Sequence, residues 1–315
     1  MPLDPQARVL LDQLAAAGRP PIWEATLADA RLGWEALVAL GTGGASAPVA
    51  SVENRTIPGP NGEIPVRVYA AEGSAPRPAL VWFHGGGFVI GSLDSYDSLC
   101  RDLVVGSGCS IVSVDYRLAP EHPFPAGVDD CYAATEWVAK NAGQLGIDPT
   151  RLAVGGDSAG GNLACVVTQM ARANGGPDIA FQLLVYPGTD WDMDAPSMQE
   201  NGSGYLLERE SVRWFRDQYL TSADQEDDWR ASPLRAESLA GLPPALVITA
   251  EFDPIRDYGE RYAERLKDDD VAVTLHRYDG MIHGFVSVPG LLDAGRAAIA
   301  ECAVALRSFS PSLAR

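Results

Sequence analysis

The sequence predicts an α/β protein: an eight-stranded, mostly parallel sheet with helices on both faces and a small helical cap. Three observations carry this. From residue 79 onward, short apolar runs rich in β-branched and aromatic residues alternate with stretches of helical pattern. Those runs are near-continuous rather than alternating, as expected of strands buried on both faces. An antiparallel hairpin signal precedes them, around the Pro-Asn-Gly turn of TIPGPNGEIPVRVYAA.

In chain order, a first helix is expected over 5–17, with Asp4 as N-cap, Pro5 in the first turn and Gly18 as terminator. Val9, Leu10, Leu11 and Leu14 are expected to cluster on one face. A second helix follows over 27–40, and the small-residue stretch 41–50 reads as a hinge. Beyond the hairpin, strands are expected at 79–83, 109–116, 151–155, 181–186, 245–250 and 271–278. The helical stretches between and after them are 128–143, 159–172, 257–270 and 291–309. Residues 191–230 fit neither pattern. They are polar and helical, and read as an insertion that packs over the sheet with the N-terminal helices. The expected organisation is an N-terminal cap segment at 1–50, a main α/β domain at 51–190 and 231–315, and an inserted cap segment at 191–230.

Bulk composition narrows the function. Of 315 residues, 46% are hydrophobic and 21% charged, as in ordinary globular proteins. The net charge of −18 repels phosphate backbones and anionic lipid heads, so neither a nucleic acid nor a membrane is an expected partner. Five cysteines without a CxxC spacing read as reduced thiols, and the N-terminal segment lacks the basic start of a secretory signal. A cytoplasmic location is expected.

The chemistry centres on GGDSAGG, residues 155–161. Glycine costs conformational entropy in ordered structure, so four in seven positions need a local reason. Ser158 follows a buried strand and precedes a helix. Gly156 and Gly160, two residues away on each side, let strand and helix approach closely while the hydroxyl projects into the open. The helix N-terminus supplies free amides where negative charge can develop. A phosphate cradle is the alternative, but the run lacks the lysine of a P-loop. Upstream, WFHGGGF at 82–88 places three glycines at the end of another strand, where bare N–H groups suit an oxyanion. Gly85, Gly86 and the amide of Ala159 are assigned to that hole, with His84 and Gly87 supporting it.

HGGG (84–87) followed by GDSAG (156–160) resembles the hormone-sensitive-lipase-like, family IV carboxylesterases of the α/β-hydrolase superfamily. DYRLAPEHPFPA (115–126), DPIRD (253–257) and GMIHGF (280–285) extend the resemblance from about residue 52 to the end of the sequence. It implies an esterase with a Ser-His-Asp triad. Among four histidines, His283 lies in a loop just past a strand and also matches the family's base, whereas His276 reads as an ordinary strand residue. Glu251, Asp253 and Asp257 can each supply the acid. The family pattern selects Asp253, and Asp257 otherwise reads as a helix cap. A neutral imidazole is required, so activity is expected to fall as pH drops through about 6–7.

Phe88, Trp191, Leu206 and Ile282 are candidates for the substrate pocket. Arg117 and Glu121 are expected to pair locally, and the role of Asp157 is left open. The chemistry calls for no metal or cofactor. The resemblance implies small esters with short to medium acyl groups, and a homodimer through the last strand. A lipase with an apolar lid, an amidase, and a ligand receptor are the competing readings. The receptor reading has a precedent in the plant gibberellin receptors, which resemble the family but lack a working histidine.

Overall fold

The computed structural model describes residues 1–42 and 46–309. Helices α1 (Pro5–Ala16) and α2 (Leu27–Gly41) open the chain. The hairpin β1 (Ser51–Gly59) and β2 (Gly62–Ala70) leads into β3 (Arg77–Phe83), α3 (Asp97–Ser107) and β4 (Ser110–Val114). Then come α4 (Ala126–Lys140), the single turn α5 (Ala142–Leu145), β5 (Ile147–Asp157), α6 (Ala159–Asn174) and β6 (Phe181–Val185). Two helices, α7 (Pro196–Glu200) and α8 (Arg209–Tyr219), precede β7 (Ala245–Phe252), α9 (Arg256–Asp268), β8 (Val273–Ile282) and α10 (Asp293–Ser308).

The strands form one sheet in the order β1-β2-β4-β3-β5-β6-β7-β8. Strand β2 runs antiparallel to β1 and β4, and every other pairing is parallel. Side chains alternate between the two faces as the two-residue period requires. On β3, Val81 and Phe83 enter the core shared with α4, α6 and α9, while Leu80 and Trp82 enter the core shared with α3 and α10. Both sets are buried, so the strand reads as continuous apolar sequence.

The expected elements are present with shifted ends. Strand β5 starts at Ile147 rather than 151, because Ile147 pairs with Arg77 before a register shift. Strand β8 runs on to Ile282, which pairs with Phe252 beyond a second shift. His283 therefore follows the strand directly. Asp4 caps α1 by accepting from the amides of Gln6 and Ala7. Leu10 is buried on that helix, but Val9 is 54% exposed and does not share its face. Residues 43–45 of the expected hinge lie outside the described residues.

The 115–126 stretch corrects one pairing. Arg117 grips Asp130 on α4 through Nε and Nη2, at 2.8 and 2.9 Å, and not Glu121. Glu121 instead receives Arg31 of α2 at 2.7 and 2.8 Å. Arg31 also donates to the carbonyl of Val89. At its other end, the α2 carbonyl of Gly41 accepts from Gly290. The second cap helix is thus fixed both beside the glycine loop and beside the His283 loop.

Candidate active site

The turn at Ser158 needs its glycines for steric reasons. Ser158 sits at φ 55°, a left-handed conformation rare for a residue with a side chain. A Cβ on Gly160 would lie 1.9 Å from the carbonyl oxygen of Phe83, and one on Gly156 would lie 2.4 Å from the backbone of both Phe83 and Gly160. Strand β3, strand β5 and helix α6 therefore meet backbone to backbone. That contact sets the 84–87 loop beside the serine.

Three carboxyl-end loops converge on the hydroxyl. His283 Nε2 is 2.9 Å from Ser158 Oγ, and His283 Nδ1 is 2.7 Å from Asp253 Oδ2. Asp253 is fully buried and also accepts from the amide of Ile255. The carboxylate can only accept, so Nδ1 carries a proton and Nε2 faces the serine as an acceptor. The other acids lie elsewhere. Asp257 accepts from the amide of Ser197 and anchors α7, and Glu251 accepts from the amide of Gly280. His276 is exposed and bonded to Glu301.

The glycine loop corrects the assignment of the oxyanion donors. The N–H of Gly85 is already committed to Asp157 Oδ1, at 2.9 Å, and is buried away from the cleft. Gly86 and Gly87 line the cleft, as does Ala159. None of these three amides donates to another protein group among the described residues. Gly86 is at φ 113° and Gly87 at φ 59°, and a Cβ on either would strike Ile90 or Phe215 at 2.2 Å. His84 does support the loop. It is buried, stacks on Tyr116 at 4.4 Å, and donates from Nδ1 to the Gly85 carbonyl at 2.7 Å.

The serine opens into a cleft of about 1250 Å³, walled by α1, α2, α8 and the loops after β3, β6 and β8. Phe88 and Trp191 line it, with ring centroids 6.0 Å apart, and Phe88 stacks on Tyr219 at 3.8 Å. Leu206 also lines it. Ile282 does not. It is completely buried in the α3/α10 core, because β8 extends to that residue and turns its side chain under the sheet. Phe215 and Val212 of α8 were missed as wall residues. Their signal was the 212–215–219 helical spacing of apolar residues inside an otherwise polar stretch. Among the described residues, no cluster of three or more His, Cys, Asp or Glu is arranged to hold a metal. No helix among them is long and apolar enough to cross a membrane.

Two buried groups beside the site titrate abnormally. Burial pushes His84 down from 6.5 to about 4, against the Gly85 bond that favours its charged form. Burial pushes Asp157 up from 3.8 to about 6, against hydrogen bonds from Tyr96 and Gly85. The His84 contribution to stability is complete above the unfolded value and is lost as pH falls toward 4. The Asp157 contribution is complete below 3.8 and is lost as pH rises through 6. Between pH 4 and 6 the two slopes oppose. In an Asp157→Asn variant the opposing slope is gone, so between pH 6 and 4 stability should fall more steeply on acidification, by about 1 kcal/mol per pH unit relative to wild type. Urea midpoints from pH 4 to 7 read this directly, and parallel curves for the two proteins would refute it.

The fold and this arrangement define an α/β hydrolase, and residues 80–287 match the family model described as alpha/beta hydrolase fold. The chain belongs to the hormone-sensitive-lipase-like carboxylesterases of that superfamily, and it is a carboxylic ester hydrolase. It is 45% identical over 264 residues to the esterase LipI of Mycobacterium tuberculosis, covering 82% of each chain. It is 38% identical over 302 residues to an ethyl acetate hydrolase of Pseudomonas putida, covering 93% of this chain and 95% of that one. Among solved structures, an esterase of Pyrobaculum calidifontis superposes with a TM-score of 0.91 at 43% identity, covering 98% and 99% of the two chains.

Proposed function

We propose that Ser158 is the nucleophile, His283 its base and Asp253 the residue that orients the imidazole. The amides of Gly86, Gly87 and Ala159 form the oxyanion hole. The observation that carries this reading is the unbroken chain Ser158–His283–Asp253, with links of 2.9 and 2.7 Å. Ser158 Oγ attacks the acyl carbon while His283 Nε2 takes its proton. The carbonyl oxygen becomes an oxyanion facing three amides fixed in advance. His283 then protonates the departing alcohol, leaving an acyl-serine. Water attacks in the same way, and the carboxylic acid leaves. Asp253 stays ionised throughout and stabilises the imidazolium.

The substrates are small neutral esters with short to medium acyl groups. The cleft supports this reading with apolar walls at Phe88, Trp191, Leu206, Val212 and Phe215. So does the relative whose name specifies ethyl acetate. The test is a p-nitrophenyl ester series from acetate to palmitate, run with wild type and Ser158→Ala. Wild-type kcat/KM should peak between acetate and octanoate, with Ser158→Ala inactive on all. A maximum at palmitate would overturn the substrate range, and a Ser158→Ala variant as fast as wild type would overturn the mechanism.

A further inference from the structure

The residue just before the serine has no part in the chemistry described above, yet it is a carboxylate that is 2% exposed. Asp157 Oδ1 accepts the Gly85 N–H at 2.9 Å, and its Oδ2 accepts the Tyr96 hydroxyl at 2.8 Å. The Gly85 N–H also lies 3.1 Å from that hydroxyl, closing a triangle of hydrogen bonds. The triangle ties the serine turn to the glycine loop across 72 positions of sequence. Gly85 is a glycine for this reason: a Cβ there would fall 2.4 Å from Asp157 Oδ2.

We propose that Asp157, with Tyr96, is a positioning residue that sets the oxyanion loop by holding the Gly85 peptide. The proposal rests on the reading of Ser158 and its hole given above. Gly85 is gripped on both sides, its N–H by Asp157 and its C=O by His84 Nδ1. A trans peptide points its C=O and N–H in opposite directions. Holding the Gly85 carbonyl on His84 therefore turns the Gly86 N–H away from His84. Holding the Gly85 N–H on Asp157 fixes the preceding peptide as well. The left-handed turn at Gly86 and Gly87 then starts from a fixed plane and leaves both amides unclaimed at the cleft. Preorganisation of this kind acts on the oxyanion and hardly at all on the ground-state ester.

This separates the role from ordinary core packing. In Asp157→Ala, kcat on p-nitrophenyl butyrate should fall by ~10²-fold, the size of losing one oxyanion donor, with KM within about threefold. The inhibition constant of an alkyl trifluoromethyl ketone should rise by the same factor, because its adduct with Ser158 places an oxyanion in the hole. Asp157→Asn keeps an acceptor for Gly85, and Tyr96 can reverse its hydroxyl. That variant should recover kcat to within about tenfold of wild type. Tyr96→Phe removes one corner of the triangle and should shift kcat and the ketone constant together by a smaller factor. It keeps the test open if Asp157→Ala fails to fold. Wild-type kcat in Asp157→Ala, or a loss of kcat with the ketone constant unchanged, would overturn the proposal. Should Asp157→Ala not fold, an unchanged ketone constant in Tyr96→Phe would do the same. A Ser158→Ala variant that still hydrolyses the ester would instead overturn the reading of the site itself.

Discussion

With alanine at position 283, kcat on p-nitrophenyl butyrate is expected to fall by ~10⁵–10⁶-fold while KM changes little. That is the size of loss seen when a triad member acting as a unit with its partners is removed. No other histidine can take over. His84 is sealed in the core with its Nδ1 on the Gly85 carbonyl, and burial holds it neutral with a value of about 4. His276 is exposed and bonded to Glu301, and His122 sits exposed in the 115–126 stretch. The Ser158 hydroxyl therefore keeps its proton in the variant. Asp253→Asn should cost less, ~10⁴-fold, because the imidazole stays in place and only its tautomer is lost. Steady-state kinetics on purified variants of matched thermal stability checks both. A His283→Ala variant within tenfold of wild type would contradict the assignment.

Gly160→Ala is expected to be the most damaging single methyl in the molecule. Its Cβ would sit 1.9 Å from the Phe83 carbonyl oxygen, 2.6 Å from the Phe83 carbonyl carbon and 2.7 Å from the His84 carbonyl oxygen. All three are backbone atoms at the end of a central strand, so no rotamer change relieves the overlap. Overpacking in a tight core costs 1–3 kcal/mol and occasionally more, and here a loss of about 3 kcal/mol or more is expected. Activity should fall as well, because Phe83 and His84 lead into the loop that carries Gly86 and Gly87. Gly188→Ala is the control. Its Cβ would meet only Ile255 Cδ1 at 3.6 Å and the Ser158 carbonyl at 4.0 Å, ordinary contact distances. Urea midpoints should therefore separate the two variants, and equal stability would contradict the close-approach account of the turn.

Much of this was legible in sequence because the physics is local. Strands buried on both faces write themselves as apolar runs, and the serine turn writes itself as glycines at fixed offsets. The proposed base is easy to single out in the sequence because few histidines compete for the role. What failed depended on direction or on distant partners. Three consecutive glycines do not reveal which amides face outward. Gly85 was assigned to the hole, and only the Asp157 contact shows that its N–H points inward. Asp157 and Tyr96 stand 61 positions apart, so no local pattern announces their bond. Arg117 was matched to Glu121, four residues on, but its partner Asp130 lies a helix turn into α4. Ile282 is a pocket candidate in the sequence, where nothing marks the end of β8. The longer β8 instead carries it under the sheet.

The measurement closest to the central claim is covalent labelling with a p-nitrophenyl alkylphosphonate. The hydroxyl held at 2.9 Å from His283 Nε2 should displace one p-nitrophenolate per chain and retain the phosphonyl group. Peptide mapping should place that mass on Ser158 alone. Butyrate ester should slow the labelling, and His283→Ala should nearly abolish it. Stoichiometric phosphonylation at any residue other than Ser158, with ester hydrolysis lost in proportion, would contradict the account.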